Sequence, residues 1–192
     1  MINLLDQGIA LGEETDTEPD RLTGIRDVGS MFAAARLVGS AVREVYDLDG
    51  PSLKRQGIKF QASFLLGGQI GHGSMRLFQV YEAGNFIEAT AETPFFQIGE
   101  SKYGKPILDR ALNAATTPID AVKIGLLSLD STMRSNLSVG PPIDVAVYRQ
   151  DTLAIDIRKR IEEDDQYFLD ISGGWSKALQ EAYRSLPDPP WC

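Results

Sequence analysis

The spacing of apolar residues changes between a helical and a strand-like period several times along the 192-residue chain. Steps of three and four residues, as from Val28 through Phe32 to Ala35, are typical of an amphipathic helix, and short alternating or continuously apolar runs are typical of strands. The chain order predicted from these periods is two helices, four strands, two helices, two strands and one helix. The helices are predicted over residues 2–11, 27–46, 103–112, 118–134 and 162–186, and the strands over residues 58–66, 75–81, 85–89, 95–98, 143–148 and 153–157.

Local residues mark where several of these elements begin and end. Thr117 and Pro118 fit the N-cap and the first position of the fourth helix. Asp49-Gly50-Pro51 is expected to end the second helix, and Gly173-Gly174 is expected to interrupt the last one. Residues 13–20 include five acidic residues and one proline. This segment is therefore expected to be a solvated loop.

Helices that come in pairs around antiparallel strands favour a layered α+β fold, with helices outside and sheets inside. The strand that contains Phe64-Leu65-Leu66 is apolar on successive residues, which is expected when both faces of a sheet are covered. Two sheets packed face to face meet this requirement. The chain shows no internal repeat and no linker long enough to divide it, so residues 1–192 are predicted to form one domain.

The composition excludes several classes of function. A formal net charge of −8 argues against nucleic acid and anionic membranes as main partners, and no apolar run approaches the roughly 20 residues of a membrane-spanning helix. The only cysteine, Cys192, cannot form an internal disulfide, which favours a cytoplasmic location. The only histidine, His72, excludes zinc sites with two histidines. No metal ion and no other cofactor is expected.

Two loops are candidates for chemistry. His72 lies in the glycine-dense segment 67–73, which joins two predicted strands and is expected to be a hairpin, since phosphate-binding loops lead into a helix. A hairpin tip gives an imidazole no fixed orientation, so an exposed turn residue is expected there and not a catalytic base. The loop 133–140 is rich in Ser and Asn. Its side chains either hold a reacting group by hydrogen bonds or cap the preceding helix.

Four segments carry a resemblance to a known family. They are, in chain order, Ile2-Asn3-Leu4-Leu5, Leu66-Gly67-Gly68-Gln69-Ile70, residues 96–110 (FQIGESKYGKPILDR) and residues 130–140 (DSTMRSNLSVG). In these segments the chain resembles the proteasome family, and within it the bacterial branch called Anbu. The resemblance extends from end to end of the chain. It implies an N-terminal-nucleophile hydrolase fold, a four-layer αββα sandwich of two antiparallel sheets between helical layers.

The resemblance also implies a catalytic mechanism. In the family, the N-terminal threonine of the mature chain is the nucleophile, its own α-amino group is the base, and a lysine and an aspartate from early strands assist. Ile2-Asn3-Leu4-Leu5 corresponds to the first long helix of the family, which follows those strands. The fold is therefore expected to be incomplete at its N-terminus, with none of the three catalytic positions in this chain, and the chain is expected to be inactive alone.

The resemblance suggests three residues that support the catalytic amino group. Proteasome catalytic subunits have an Arg-Asp-x-x-Ser-Gly motif after the helix that corresponds to residues 118–134. In this chain Ser138 matches the serine of that motif, and Ser135 replaces the aspartate. Glu100 takes the place of the serine in a Gly-Ser-Gly turn of the family.

The function implied by the resemblance is that of a threonine-type peptidase subunit that hydrolyses amide bonds in the full-length protein. The implied partners are copies of the chain in a ring or spiral, a peptide or other amide substrate, and an ATPase or adaptor of unknown identity. One alternative is a non-catalytic structural subunit of a proteasome-like ring or spiral. Another is a hydrolase that uses His72 with a serine.

Overall fold

The computed structural model of the protein describes residues 24–191. These residues form two compact units, one of residues 24–98 and 148–154 and the other of residues 99–147 and 155–191. The predicted helix 2–11 and the acidic loop 13–20 lie outside the described residues, as does Cys192. Within the described part of the chain, no helix is long and apolar enough to cross a membrane.

The first unit is built on one long helix, α1, which spans Met31–Arg55. Ser30 caps its beginning, because the hydroxyl of Ser30 accepts a hydrogen bond from the backbone N–H of Ala33 at 3.1 Å. This bond satisfies one of the N–H groups that a helix leaves open at its first turn. The structure confirms a helix in this region. The predicted end at Asp49-Gly50-Pro51 is wrong, because Pro51 lies inside the helix.

The helix passes Pro51 because the proline is close to the C-terminal end. A proline removes the hydrogen bond of one N–H group, but the turn that follows is closed by Gln56, whose N–H donates to the carbonyl of Leu53 at 3.0 Å. The adjacent Gly50 is buried against the ring of Tyr46, and a Cβ on Gly50 would come within 3.0 Å of that ring. One more helical turn therefore forms beyond the predicted end.

The first unit also contains an antiparallel sheet in the order β1-β2-β3. The strands are β1 (Phe64–Gly68), β2 (Arg76–Val80) and β3 (Phe86–Glu88). Because Phe64 pairs with Val80, the last residue of β2, residues 58–63 extend past the paired part of the sheet. The predicted strand 58–66 is therefore a strand only in its last part. The strands predicted over 75–81 and 85–89 are confirmed, and the strand predicted over 95–98 is wrong, because those residues belong to neither sheet of the described chain.

The core of the first unit lies between α1 and the central strand β2. Phe78 and Val80 of β2 are at most 1% exposed, and Phe78 packs against Met31 and Ala35 of α1. The helix also lies very close to the turn between β2 and β3, where a Cβ on Gly39 would overlap the carbonyl oxygen of Gly84. The side-chain length at position 39 thus limits how closely α1 approaches the sheet.

The remaining elements are three helices and a second, two-stranded sheet. They are α2 (Lys105–Ala111), α3 (Pro118–Ser135), β4 (Ile143–Tyr148), β5 (Ile155–Ile161) and α4 (Gln166–Arg184). The predicted cap of α3 is confirmed, since the hydroxyl of Thr117 accepts from the N–H of Asp120 at 3.2 Å. The core of the second unit contains Leu126 and Phe168, together with Ile143 and Ile161 from the two strands.

Helix α4 is continuous through Gly173 and Gly174, so the predicted interruption is wrong. Each glycine costs a helix about 1 kcal/mol relative to alanine. The helix is nevertheless fixed on both sides of the two glycines. Before them, Phe168 packs into the core of the second unit. Across them, the hydroxyl of Ser176 donates to the carbonyl of Ser172 at 3.1 Å. Tertiary packing and helical hydrogen bonding outweigh the low propensity of two residues.

The described chain is therefore an α+β protein with four helices and small β-sheets. The four-layer αββα sandwich and the single domain over residues 1–192 stay predictions. Each unit has its own helix–strand core. A polar cluster of the second unit includes two of the residues singled out by the sequence analysis.

The lowered pKa values of three carboxyl groups allow a prediction of how the stability of the fold depends on pH. A hydrogen bond from Arg76 lowers the pKa of Glu88, a hydrogen bond from Arg160 lowers the pKa of Asp144, and the backbone N–H of Phe168 lowers the pKa of Asp165, the N-cap of α4. A carboxyl group whose pKa is lower in the folded than in the unfolded state stabilises the fold above the unfolded pKa and loses this contribution as the pH falls through the folded one. We expect the thermal midpoint to be constant from pH 6 to 5 and to fall below about pH 4.5.

Circular dichroism melts between pH 6 and 3 measure this effect. Glu88→Gln removes one of the titrating groups, so its midpoint should fall less over the acidic range than that of the wild type. A wild-type midpoint that rises as the pH is lowered from 5 to 3 would contradict the lowered pKa values of these three carboxyl groups.

Candidate functional site

Glu100, Asn136 and Ser138 form a polar network between the segment before α2 and the loop after α3. The amide nitrogen Nδ2 of Asn136 donates to Oε2 of Glu100 at 3.1 Å. The amide oxygen Oδ1 of Asn136 accepts from the backbone N–H of Ser138 at 2.9 Å and from its hydroxyl at 2.7 Å. Oε1 of Glu100 accepts from the backbone N–H of Lys102 at 3.1 Å. The structure thus brings together two of the predicted supporting residues, Glu100 and Ser138, through a third residue.

The surroundings of Asn136 fix the orientation of its amide. The amide oxygen faces the N–H and O–H groups of Ser138, and the amide nitrogen faces the carboxylate of Glu100. A rotation by 180° would put the amide oxygen against the carboxylate and the amide N–H groups against the N–H of Ser138, which opposes acceptor to acceptor and donor to donor. The amide of Asn136 therefore has one favourable orientation, and its hydrogen bonds fix the positions of Glu100 and Ser138 relative to it.

Helix α3 positions Asn136 through its C-terminal cap. The backbone N–H of Asn136 donates to the carbonyl of Thr132 at 2.8 Å, and Asn136 is the first residue outside the helix. Thr132 is 1% exposed, and its hydroxyl donates to the carbonyl of Ser128 at 2.9 Å. The last turn of α3 is thereby anchored on its buried side, and the side chain of Asn136 begins from a fixed point.

The segment that carries Glu100 is held against the same helix. Gly104, just before α2, lies so close to α3 that a Cβ on it would stand 2.7 Å from the carbonyl oxygen of Ser128 and 2.7 Å from Oγ1 of Thr132. Such an approach is open only to glycine. This contact is made four residues after Glu100, so it limits the distance between the carboxylate and the end of α3.

A second polar cluster joins α3 to α4. The side chain of Asp130 is 8% exposed. Its Oδ1 accepts from the hydroxyl of Ser172 at 2.7 Å, and its Oδ2 accepts from Nε of Arg134 at 3.1 Å. Nη2 of Arg134 also donates to the hydroxyl oxygen of Ser172 at 2.9 Å, which closes a triangle. This cluster compensates the burial of a charge and fixes the C-terminal half of α3, which ends at the network of Asn136.

Ser135, the third predicted supporting residue, lies apart from this network. It is the exposed last residue of α3, and among the described residues no hydrogen bond joins it to Glu100, Asn136 or Ser138. The neighbouring Asn136 makes the contacts that connect the two segments. Asn136 was not among the predicted supporting residues, although an Asn at a helix end followed two residues later by Ser is typical of a side chain that bonds to nearby backbone.

His72 has the position expected of an exposed turn residue. Its side chain is 82% exposed, and Nδ1 lies 3.6 Å from Oδ1 of Asp151. In the part of the chain that the structure describes, no serine hydroxyl donates to this ring. A nucleophile and its base need a hydrogen bond between them, so the geometry does not favour a hydrolase that uses His72.

No group of three His, Cys, Asp or Glu residues among residues 24–191 has an arrangement that could hold a metal ion. The side-chain groups in the network of Asn136 that could ligate a metal ion are a carboxylate, an amide and a hydroxyl, with one carboxylate only. The arrangement is suited to binding and orienting a polar or cationic group.

Comparisons with known proteins locate the chain among solved structures. No family model and no curated protein matches it. An Anbu Gly-1 mutant from Hyphomicrobium sp. strain MC1 is 48% identical, with a TM-score of 0.81, and the match covers 92% of this chain and 70% of that one. Anbu, ancestral beta-subunit, from Yersinia bercovieri is 47% identical, with a TM-score of 0.80, over 87% and 69% of the two chains.

A third match is an assembly. The helical assembly of the Anbu complex from Pseudomonas aeruginosa is 43% identical to this chain, with a TM-score of 0.81, over 91% of this chain and 71% of that one. Identities above 40% over most of both chains are shared by all three matches. The similarity therefore includes both the sequence and the fold of the chain.

Proposed function

The chain belongs to the Anbu family of proteasome-like peptidases, and on this basis we propose that it acts in the hydrolysis of amide bonds as a peptidase subunit. In the full-length protein, the nucleophile is the hydroxyl of an N-terminal threonine, and the residues described above support the catalytic amino group. The proposal includes the four-layer sandwich of the N-terminal-nucleophile hydrolases as the complete fold, in one domain, and a location in the cytoplasm.

The proposed chemistry is acyl transfer in two steps. The threonine hydroxyl attacks the carbonyl carbon while the α-amino group of the same residue takes its proton, and that proton then goes to the leaving amine as the C–N bond breaks. Water attacks the resulting ester and releases the carboxylic acid and the free threonine. The first step needs a base within reach of the threonine hydroxyl, and the second needs a base that takes a proton from the attacking water and returns one to the released threonine oxygen. The α-amino group can serve in both steps, so no histidine is required.

One observation carries this proposal: the network of Glu100, Asn136 and Ser138 lies where the sequence resembles the Arg-Asp-x-x-Ser-Gly motif of proteasome subunits. Hydrogen bonds of 2.7–3.1 Å hold these side chains together, and α2 and α3 fix the segments that carry them. A set of oriented acceptors of this kind is suited to holding an amino group in place.

The proposed partners follow from the same family. The Pseudomonas aeruginosa relative has been solved as a helical assembly of the Anbu complex, so we propose that copies of this chain associate in a ring or spiral. A peptide or another amide is the proposed substrate. An ATPase or adaptor that delivers it is a further proposed partner.

A non-catalytic structural subunit is the second candidate. The observation that favours it is the exposed position of Ser135, which replaces the aspartate of the family motif and takes no part in the network. A subunit with an incomplete supporting set could assemble without performing chemistry. Activity in the full-length protein distinguishes this candidate from the first.

The test compares the polypeptide of residues 1–192 with the product of the full reading frame, including any codons upstream of Met1. We expect fluorogenic peptide hydrolysis from the full product only, because residues 1–192 contain no N-terminal threonine. Hydrolysis by purified residues 1–192 would overturn the threonine mechanism. A full product that assembles but hydrolyses no peptide or other amide would support the structural subunit instead.

A further inference from the structure

The first unit contains a groove of about 790 Å³ beside the C-terminal half of α1. We call it the α1 groove. Its lining includes Tyr46, Asp47 and Lys54 of the helix, and Phe60 and Glu82 from the segments next to it. The rings of Tyr46 and Phe60 meet edge to face, with their centroids 5.3 Å apart. A groove of this volume, with aromatic rings and a few charged groups, is suited to binding a small ligand or a short peptide segment.

Two charged side chains of the α1 groove have no partner within the described part of the chain. Lys59 lies 3.6 Å from Glu82, and Arg43 donates to a backbone carbonyl of the β2–β3 turn at 3.0 Å. Asp47 and Lys54, in contrast, form no ion pair with another of residues 24–191. Because seven residues make about two turns of a helix, these two side chains lie on the same face of α1, about 10 Å apart along its axis. The groove therefore offers one negative and one positive group at a fixed spacing.

A proline-rich segment of the same chain has the properties of a ligand for such a groove. Residues 184–191 (RSLPDPPW), which we call the proline segment, are all exposed, and Leu186 and Trp191 are 66% and 83% exposed. Pro187, Pro189 and Pro190 fix their own φ angles and keep the residues before them out of the helical region. The segment therefore favours an extended polyproline II conformation.

The charges of the proline segment complement those of the α1 groove. Arg184 is positive and Asp188 is negative, and an extended chain places them at most about 12 Å apart. Asp47 and Lys54 are about 10 Å apart, so both residues of the segment can meet a group of opposite charge at once. Among residues 24–191, no carboxylate forms an ion pair with Arg184 and no cation forms one with Asp188.

From this match we propose that the proline segment of one copy of the chain binds in the α1 groove of a second copy. Arg184 contacts Asp47, Asp188 contacts Lys54, and the prolines pack against the aromatic rings of the groove. Proline-rich segments bind to aromatic-lined grooves with little loss of conformational entropy, because they are extended before they bind. The contact also removes the exposed apolar surface of the segment from water.

The choice of a second copy as the source of the segment rests on the proposed association of copies in a ring or spiral. A contact in which a segment of one copy enters a groove of the next is heterologous, since it joins two different surfaces. Such a contact repeats from copy to copy and generates a closed ring or an open helical array. The inference thus names a contact that the proposed function leaves open, and it does not depend on hydrolysis.

The first test measures binding of a fluorescein-labelled peptide of residues 184–191, with both ends blocked, to the purified chain by fluorescence polarisation. We expect saturable binding. A peptide with Pro187→Ala and Pro190→Ala should bind about tenfold more weakly, because it is less extended before binding. These changes are in the peptide, so the fold of the chain is unaffected. No binding of the wild-type peptide, or equal binding of the alanine peptide, would overturn the inference.

The second test exchanges one charge pair. Asp47→Lys in the chain should weaken binding of the wild-type peptide about fivefold, and a peptide with Arg184→Glu should recover affinity for this variant. Asp49→Lys is the matched control, because it makes the same change at an exposed residue of the same helix outside the groove, and it should leave the affinity unchanged. Thermal melts confirm that both variants are folded. A charge-exchanged peptide that recovers no affinity would overturn the contact between Arg184 and Asp47.

The third measurement is the size of the full-length assembly, followed by light scattering at several protein concentrations. Asp47→Lys should raise the concentration at which the assembly forms about fivefold, and Asp49→Lys should not. An Asp47→Lys variant that assembles like the wild type, although the peptide binds, would overturn the second copy as the source of the segment. A wild-type protein that forms no assembly would overturn the proposed ring or spiral, and the inference with it. Hydrolysis is measured separately, so a failure of the peptidase activity is distinguishable from both results.

Discussion

Gly39→Ala is expected to lower the free energy of unfolding by about 3 kcal/mol, because the new methyl group overlaps backbone that has little room to move. A Cβ at position 39 would meet the carbonyl oxygen of Gly84, in the turn between β2 and β3. The same oxygen accepts a hydrogen bond from Nη1 of Arg43 at 3.0 Å. Gly84 itself has a φ of +74°, so the turn cannot easily change its conformation. Either the helix and the turn separate, or the hydrogen bond is lost.

The measurement is a chemical or thermal melt of Gly39→Ala beside Gly125→Ala. Gly125 lies inside α3, and a Cβ there meets nothing within 4 Å. Alanine is the better helix former, so Gly125→Ala should be neutral or should stabilise the protein by up to about 1 kcal/mol. For Gly39→Ala, the midpoint should fall by about 6–12 °C. Equal midpoints for the two variants would contradict the close packing of α1 on the β2–β3 turn.

The helices were predictable because the information for them is local. The apolar period of α1 and the Thr117-Pro118 start of α3 need only neighbouring residues to form, and the structure confirms both helices. The errors in the helices concern residues whose low propensity is outweighed by contacts made elsewhere. Pro51 is tolerated because the turn after it is closed by hydrogen bonds, and Gly173 is tolerated because α4 packs onto the core of the second unit.

The strands were less predictable because a strand exists only where it has a partner. Residues 58–63 and 95–98 have the apolar character of strands, but β2 ends at Val80, opposite Phe64, so residues 58–63 have no ladder to join. Pairing of this kind joins distant parts of the chain. The apolar periodicity of one segment therefore does not show whether that segment has a strand to pair with.

Two residues of the polar network around Asn136 were predicted from the sequence as supporting residues, and the role predicted for them stays a prediction. The resemblance to the family pointed to Glu100 and Ser138, which the structure links through hydrogen bonds. It also pointed to Ser135, because alignment by sequence compares positions and not the direction of side chains. Asn136 was missed because its hydrogen bonds join two segments that are 36 residues apart and that meet only in the folded chain.

We propose that this chain is a peptidase subunit whose full-length form uses an N-terminal threonine as its nucleophile. Replacement of that threonine by alanine in the full-length protein removes the attacking hydroxyl. We expect kcat/KM for a fluorogenic peptide to fall by at least about 1,000-fold. Serine at the same position retains a hydroxyl on the same amine-bearing residue and should keep a measurable part of the activity.

The most direct measurement is therefore the rate of peptide hydrolysis by the purified assembly with threonine, serine or alanine at its mature N-terminus. We expect hydrolysis by the threonine form, reduced hydrolysis by the serine form and none above background for the alanine form, with all three assembled to the same size. An alanine form that hydrolyses the peptide as fast as the threonine form would contradict it.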